Sequence, residues 1–325
     1  MAKEQIYPYA VARIRVLEKN LLTKQTMYQM ADDRAVSGCL RTLADAGYEG
    51  ALEVDPHDFE KVLSTELEKT YAIIRELVPE EKFIEVFLYK NDYHNLKVLI
   101  KQEVSGLNGE KYLVNGGTIP LAELRKALLE RSYGSLPLIM RDAIAEAFDS
   151  FSKTQSGQMI DIVLDKAVFK QMEETADASK NEFVMKYVSK ICDLTNLKSF
   201  LRIRNMKKPF LAFSTAFLEG GDISLPTFSK AFALDNPSGN FKATAYGEVC
   251  EAGMHRGFTV FEKLCDDYIM DYIKSAKYMA LSLEPLIAYL YAKESEIKTV
   301  RIILTSKLNG IDSRVIKERV REAYV

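Results

Sequence analysis

Apolar residues recur every three to four positions along most of the chain, which is the spacing of an α-helix rather than of a β-strand. Runs of alternating β-branched residues are nearly absent, and the 325 residues include only 16 glycines and 9 prolines. This pattern predicts an all-α fold built from long helices. A chain of this length is also expected to form more than one domain.

The clearest predicted elements lie between Leu281 and Val325, a stretch that is typical of one long helix, a tight turn and a short closing helix. Pro285 either marks the start of the long helix or kinks it. Asn309-Gly310 ends it, because glycine adopts the left-handed conformation without a Cβ clash. Asp312 or Ser313 then caps the closing helix by accepting hydrogen bonds from its free N–H groups. The apolar face of the long helix consists of Leu283, Leu286, Ile287, Leu290, Ile297, Val300, Ile303 and Leu304.

An apolar pattern earlier in the chain occurs three times, each copy 101 residues after the last. The copies are Phe59, Val62, Leu63, Leu67 and Tyr71; Ile160, Val163, Leu164, Val168 and Met172; and Phe261, Leu264, Cys265, Ile269 and Ile273. An acid follows the first residue of each copy, namely Glu60, Asp161 and Glu262. We interpret these acids as first-turn residues favoured by the helix dipole.

Two further segments also recur along the chain. Asn95-Leu96-Lys97 recurs as Asn196-Leu197-Lys198 and, one residue out of register, as Glu296-Ile297-Lys298, while Gly116-Gly117 is echoed by Gly220-Gly221. The sequence therefore predicts three helical repeat units, at residues 1–115, 116–219 and 220–325. Units of this length are too long for an ordinary solenoid, and three like units can be arranged around a pseudo-threefold axis.

The repeated Asn-Leu-Lys segments are the best candidates for a functional surface. In one interpretation they present amide and cationic groups to a partner at three equivalent places. In the other, which we favour, the asparagines cap or crosslink helices within each bundle while the lysines and arginines shield its surface. The candidate partner-interface residues are Asn95, Lys97, Lys101, Asn196, Lys198, Arg202, Lys298 and Arg301.

Catalytic signatures are missing from the sequence. It contains no Walker A, GxGxxG, GxSxG or ExxH pattern, and its three histidines and four cysteines lack metal-ligand spacing. We therefore expect no catalytic residues, cofactor or metal. A net charge of −2 argues against nucleic-acid binding. The first twenty residues lack a signal-peptide core and no apolar stretch is long enough to span a bilayer, so we expect a cytoplasmic protein without direct membrane insertion.

The C-terminal region resembles that of a known family. The matching residues are Glu284-Pro285-Leu286, Tyr289-Leu290, Lys293-Glu294, Glu296-Ile297-Lys298, Arg301-Ile302-Ile303, Lys307-Leu308-Asn309-Gly310 and Arg321 to Val325. With these residues the chain resembles the C subunit of V-type/A-type ATP synthases, the prokaryotic counterpart of the V-ATPase d subunit. Length and the rest of the chain agree, so the resemblance covers essentially the whole sequence.

The resemblance implies a funnel of three helical bundles around a pseudo-threefold axis. It also implies a non-catalytic central-rotor protein that couples the D–F central shaft to the membrane proteolipid ring and transmits torque for ion translocation. Such a protein is peripheral on the cytoplasmic face of the membrane. The alternative is a generic helical scaffold or peptide-binding protein with one groove. An enzyme would require clustered titratable groups with perturbed pKa values in a deep pocket.

Overall fold

The computed structural model describes residues 7–78 and 82–325, apart from the side chain of residue 83, and all regular structure in these residues is helical. The predicted all-α fold is confirmed. Residues 1–6, on which part of the prediction of no signal peptide depends, lie outside the described residues. The α-helices are α1 (Pro8–Leu17), α2 (Lys24–Asp32), α3 (Val36–Asp45), α4 (Phe59–Leu77), α5 (Tyr89–Ser105), α6 (Leu121–Leu129), α7 (Leu138–Thr154), α8 (Gly157–Ser179), α9 (Glu182–Asn205), α10 (Phe210–Ala216), α11 (Leu225–Phe232), α12 (Ser238–Phe241), α13 (Gly247–Arg256), α14 (Phe258–Lys274), α15 (Glu284–Leu308) and α16 (Ser313–Arg319).

The chain divides into two compact units. The terminal unit combines Met1–Glu80 with Tyr246–Val325, so it contains α1–α4 and α13–α16. The central unit is Glu81–Ala245 and contains α5–α12. The division into three repeat units and their pseudo-threefold arrangement stay predictions.

Helix α15 forms the centre of the terminal unit. All eight of its predicted apolar residues are buried, which confirms the apolar face read from the sequence. Its second half packs with α2, α3, α4 and α16 in one hydrophobic core. Each fully buried aliphatic side chain contributes about 1.5–3 kcal/mol relative to its exposed state, so burial of this apolar face stabilises the unit strongly.

The ends of α15 follow the sequence prediction. Pro285 lies in the first turn, where the lack of an N–H is tolerated, and therefore marks the start of the helix. Leu308 is the last residue of the helix, Asn309 is its C-cap, and Gly310 follows with φ of +66°. Asp312 caps α16 by accepting a 2.9 Å hydrogen bond from the backbone N–H of Arg314.

The central unit is built around α5, α8 and α9, with α7 packed along α8. The hydroxyl of Tyr93 donates a 2.7 Å hydrogen bond to Oε1 of Gln171, which joins α5 to α8 inside the core. Toward the C-terminal end of α9, Phe200 lies at the centre of a cluster of phenylalanine rings, with ring centroids 5.5–5.9 Å away. These contacts fix α10, α11 and α12 against α9.

Candidate functional site

The first Asn-Leu-Lys segment lies on α5, where two buried side chains hold the linker that leads to α6. The carboxylate of Asp92 accepts hydrogen bonds from the backbone N–H groups of Thr118 and Ile119, at 2.9 and 3.1 Å. One turn later, Asn95 accepts from the N–H of Val114 and donates to its carbonyl, both at 2.9 Å. Buried polar groups are stable only when they are paired in this way. The two side chains thus fix the linker along the helix.

The second segment, on α9, repeats this arrangement with different residues. Asp193 accepts from the N–H groups of Asp222 and Ile223, at 3.0 and 2.9 Å. Asn196 accepts from the N–H of Leu218 at 2.9 Å and donates to its carbonyl at 2.8 Å. The central unit therefore contains two equivalent modules. The first module is α5, residues 106–120 and α6; the second module is α9, residues 206–224 and α11.

The second glycine of each linker pair can lie close to its aspartate because glycine has no side chain. A Cβ on Gly117 would lie 2.0 Å from Oδ1 of Asp92, and a Cβ on Gly221 would lie 2.2 Å from Oδ1 of Asp193. Both distances are far shorter than any non-bonded contact, so the second glycine of each pair is required for the aspartate to reach the backbone. Burial raises the pKa of Asp92, although its hydrogen bonds with Thr118 and Ile119 oppose that shift.

A third module is present in the terminal unit and consists of α15, residues 21–23 and α2. Here the backbone N–H of Leu22, two residues before α2 begins, donates to the carboxylate of Glu296 on α15. Ile119 and Ile223 also lie two residues before the helices that follow them. The third module thus keeps the bond between carboxylate and linker. Glu296 supplies that carboxylate one turn later on its helix, at the position of the asparagine in the other modules.

The replacement of Asn by Glu creates a buried ionic cluster. Lys293 lies 2.8 Å from Oε1 of Glu296 and 3.3 Å from Oε1 of Glu66 on α4, and all three side chains are buried. The hydroxyl of Tyr48 donates a 2.7 Å hydrogen bond to Oε1 of Glu296. Burial raises the pKa of Glu66, and the nearby Lys293 ammonium offsets part of this effect. The cluster joins α15 to α4 and to the segment after α3.

The cationic candidate residues are paired with acids on neighbouring helices of the same unit. Lys101 forms a 2.6 Å ion pair with Asp161, and Arg301 forms a 2.8 Å ion pair with Glu60. These acids are two of the three that recur in the sequence. Exposed pairs of this kind contribute about 0–1 kcal/mol each, so they orient helices more than they stabilise them.

The remaining candidates are also engaged. Lys97 pairs with Asp165 and Lys298 with Asp266, and neither Lys198 nor Arg202 is without an interaction. The interpretation of the recurring acids as first-turn residues fits Glu60 alone, because α8 and α14 have no acid in their first turns. A partner-contact role for the eight candidate residues stays a prediction.

Residues 7–78 and 82–325 contain no group of three or more metal-binding side chains. Burial raises the pKa of Cys39 to about 11 and those of Cys192 and Cys250 to about 12, so these thiols stay protonated near neutral pH. No described helix is both long and apolar enough to cross a membrane.

Sequence reasoning missed Asp92 and Asp193, the residues that hold the glycine linkers. A signal was available, because the two aspartates are separated by the same 101 residues as the asparagines. It also missed the cluster of Lys293, Glu296 and Glu66. Charged residues inside an apolar stretch of α15 were the signal for it.

The family model for the ATP synthase (C/AC39) subunit matches residues 10–319. The chain belongs to this family. Within the ATP synthase (C/AC39) subunit family, the chain is 26% identical over 319 residues to the C subunit of the V-type sodium ATPase of Enterococcus hirae, covering 96% of this chain and 97% of that protein. It is 23% identical over 333 residues to the C subunit of the A-type ATP synthase of Thermococcus gammatolerans, covering 97% and 90%.

A further relative in the same family is the C subunit of the A-type ATP synthase of Methanocaldococcus jannaschii. It is 23% identical over 339 residues, which cover 96% of this chain and 85% of the relative. The similarity to these proteins therefore includes both units of the fold and all three modules. The resemblance of the C-terminal region to this family is confirmed, and the family match extends over residues 10–319.

Proposed function

We propose that this chain is the C subunit of a V/A-type rotary ATPase or ATP synthase, where it is a non-catalytic adaptor between the D–F central shaft and the membrane proteolipid ring. The observation that carries the proposal is the family match over residues 10–319, together with relatives aligned over at least 85% of their own length. In this role the protein is peripheral, on the cytoplasmic face of the membrane.

The modules support this proposal through their rigidity. An adaptor that transmits torque has to resist shear between its helices, and contacts spread over a wide radius give more torque for a given force. In each module a buried carboxylate holds the linker to a long helix, as Asp92, Asp193 and Glu296 do. Each buried hydrogen bond with a charged group contributes about 1.5–3 kcal/mol to stability and has a defined geometry. Such bonds limit sliding of one helix along another.

The first test is binding of the purified protein to the detergent-solubilised proteolipid ring, with and without the D–F shaft, across a salt series. We expect saturable binding that bridges ring and shaft into one complex. If charged pairs contribute to the interface, binding weakens as salt increases. A folded, monodisperse protein that binds neither component would contradict the adaptor role and favour a helical scaffold.

Charge reversals then test the repeated lysines. The variants are Lys97→Glu, Lys198→Glu and Lys298→Glu, and the control is Lys153→Glu, whose exposed lysine pairs with Asp149 on its own helix. If the repeated lysines contact a partner, we expect each of the three to weaken binding and the control to have no effect. If all four variants bind like the unmodified protein, the adaptor role stands but these lysines are not its contacts.

A further inference from the structure

The first module of the central unit has an open groove. In the second module, the equivalent position is covered by helix α10. The groove has a volume of about 490 Å³ and lies between the C-terminal ends of α5 and α6. Leu99 and Leu128 are buried in its walls, and Leu129 is 83% exposed at its edge. An exposed leucine beside a pocket with apolar walls is a feature of a binding surface.

The second module identifies the positions that correspond to these walls. Leu99 corresponds to Phe200 on α9, with the spacing of 101 found elsewhere in the repeat. Leu128 corresponds to Phe232 on α11, because Ala127 and Ala231 precede them in equivalent helices that start after equivalent glycine pairs. Phe200 and Phe232 are in contact, with ring centroids 5.9 Å apart.

Helix α10 covers this place in the second module. Its Phe210 packs against Phe232, with ring centroids 5.3 Å apart, and its Phe213 packs edge-on against Phe200 at 5.6 Å. Phe210 and Phe213 are separated by three residues, so they lie on one face of the helix. In the second module, the positions equivalent to these walls therefore pack against two aromatic side chains on one face of a helix.

The first module has no helix at the position of α10. Its linker runs from the left-handed residue Gly106 to Gly116, whereas the second linker runs from the left-handed residue Lys207 to Gly220 and is three residues longer. The shorter linker forms only a single 3-10 turn, at Glu110–Tyr112. The groove is open because the chain is too short there to cover it.

The charges at the rim of the groove are balanced. Arg131 pairs with Glu103 and Arg125 pairs with Glu110, and all four side chains are more than a third exposed. A strongly acidic or basic partner would have to break one of these pairs without compensation. The rim is thus complementary to a helix with little net charge, and the apolar walls provide the affinity.

We propose that this groove binds an amphipathic helix of a partner protein that presents two aromatic side chains three residues apart, in the way that α10 presents Phe210 and Phe213 to the second module. This inference stands on the geometry of the central unit. It does not depend on the rotor role.

The probe for the test is a labelled peptide with the sequence of residues 209–217, which contains α10 and has no charged side chain. We expect saturable binding to the full-length protein, measured by fluorescence anisotropy. A peptide with both Phe210→Ala and Phe213→Ala is expected to bind at least tenfold more weakly. Absence of saturable binding, or equal binding of the two peptides, would overturn the proposal.

The matched protein variants are Leu129→Glu at the groove and Leu138→Glu as control, because both leucines are highly exposed and Leu138 does not line the groove. We expect Leu129→Glu to weaken peptide binding at least tenfold and Leu138→Glu to leave it unchanged. A concentration-dependent dimer that disappears in Leu129→Glu would instead assign the groove to a second copy of this chain. Failure of the unmodified protein to bind ring and shaft would contradict the proposed function without changing this result.

Discussion

The carboxylate of Glu296 accepts a hydrogen bond from the backbone N–H of Leu22, a residue 274 positions earlier in the chain. This bond is the counterpart of the bonds from Ile119 to Asp92 and from Ile223 to Asp193. The same physical device, a buried carboxylate that holds a linker amide just before a helix begins, thus occurs in both units.

Loss of the Glu296 carboxylate is expected to be far more costly than loss of the Glu66 carboxylate. Glu296→Gln removes the charge that pairs with Lys293 and accepts from Leu22 and Tyr48, so we expect about 2–4 kcal/mol of destabilisation. Glu66→Gln leaves the Lys293–Glu296 pair intact. It removes a carboxylate whose Oε2 has no hydrogen-bond partner in the described chain. We therefore expect the free energy of unfolding to change by no more than about 1 kcal/mol. Urea unfolding measures both, and equal effects would contradict the assigned roles.

The two asparagines provide a comparison between equivalent positions. Asn95→Ala and Asn196→Ala each remove two hydrogen bonds to a linker residue, and we expect about 1–3 kcal/mol of destabilisation. Asn196→Ala should be the more costly, because Leu218 is buried whereas Val114 is 38% exposed and can bond to water instead. Chemical denaturation of both variants checks the order. The reverse order would mean that solvent does not reach Val114.

A methyl group on the second glycine of a linker should displace the aspartate beneath it. Gly117→Ala and Gly221→Ala place a Cβ about 2 Å from a buried carboxylate oxygen, and we expect about 1–3 kcal/mol of destabilisation each. Gly134→Ala is the control, because a Cβ there meets no atom within 4 Å. Thermal and urea unfolding measure the difference. If all three variants are equally stable, the linkers adjust and the close packing has no energetic role.

The stability of the terminal unit should depend on pH through Glu322. Burial would raise its pKa, but hydrogen bonds from Lys24 and Lys274 outweigh burial and lower the pKa to about 2. A carboxyl group whose pKa is lower in the folded state stabilises the fold at any pH above its ordinary pKa, which is near 4.5. This stabilisation is lost as the pH falls from about 4.5 toward 2. The contribution at neutral pH is about 1–2 kcal/mol, because solvent screens these partly exposed ion pairs.

Comparison of the unmodified protein with Glu322→Gln tests this dependence. The difference in unfolding free energy between them should be constant from pH 7 to about pH 5 and should shrink as the pH approaches 3. Glu318→Gln, at an exposed position on α16, is the control and should unfold like the unmodified protein at each pH. A difference that does not vary with pH would contradict the assigned ion pairs.

The sequence predicted those parts of the fold that depend on local pattern. The apolar face of α15, its start at Pro285 and its end at Asn309-Gly310 follow from periodicity and from the preferences of proline and glycine, and each is confirmed. It also favoured a structural role for the asparagines, which agrees with the contacts of Asn95 and Asn196.

Features that depend on contacts between distant segments were not predictable from one sequence. The bond between Leu22 and Glu296 joins a linker that precedes its long helix, whereas in the other modules the linker follows it, so the repeat order gave no indication of it. The groove beside Leu129 was missed for another reason. A difference of three residues between two linkers determines whether a helix covers the groove. The periodicity of apolar residues gives no information about linker length.

The bond between Leu22 and Glu296 also has a consequence for synthesis of the protein. Residues 82–245 leave the ribosome as one continuous segment and can fold as soon as they emerge, whereas helices α1–α4 lack their core partner until α15 has been made. At about 5–20 residues per second, the more than 200 residues between α4 and the end of α15 take on the order of ten seconds or longer. During that interval the apolar faces of α2, α3 and α4 are exposed, so this segment is the part of the nascent chain most in need of a chaperone.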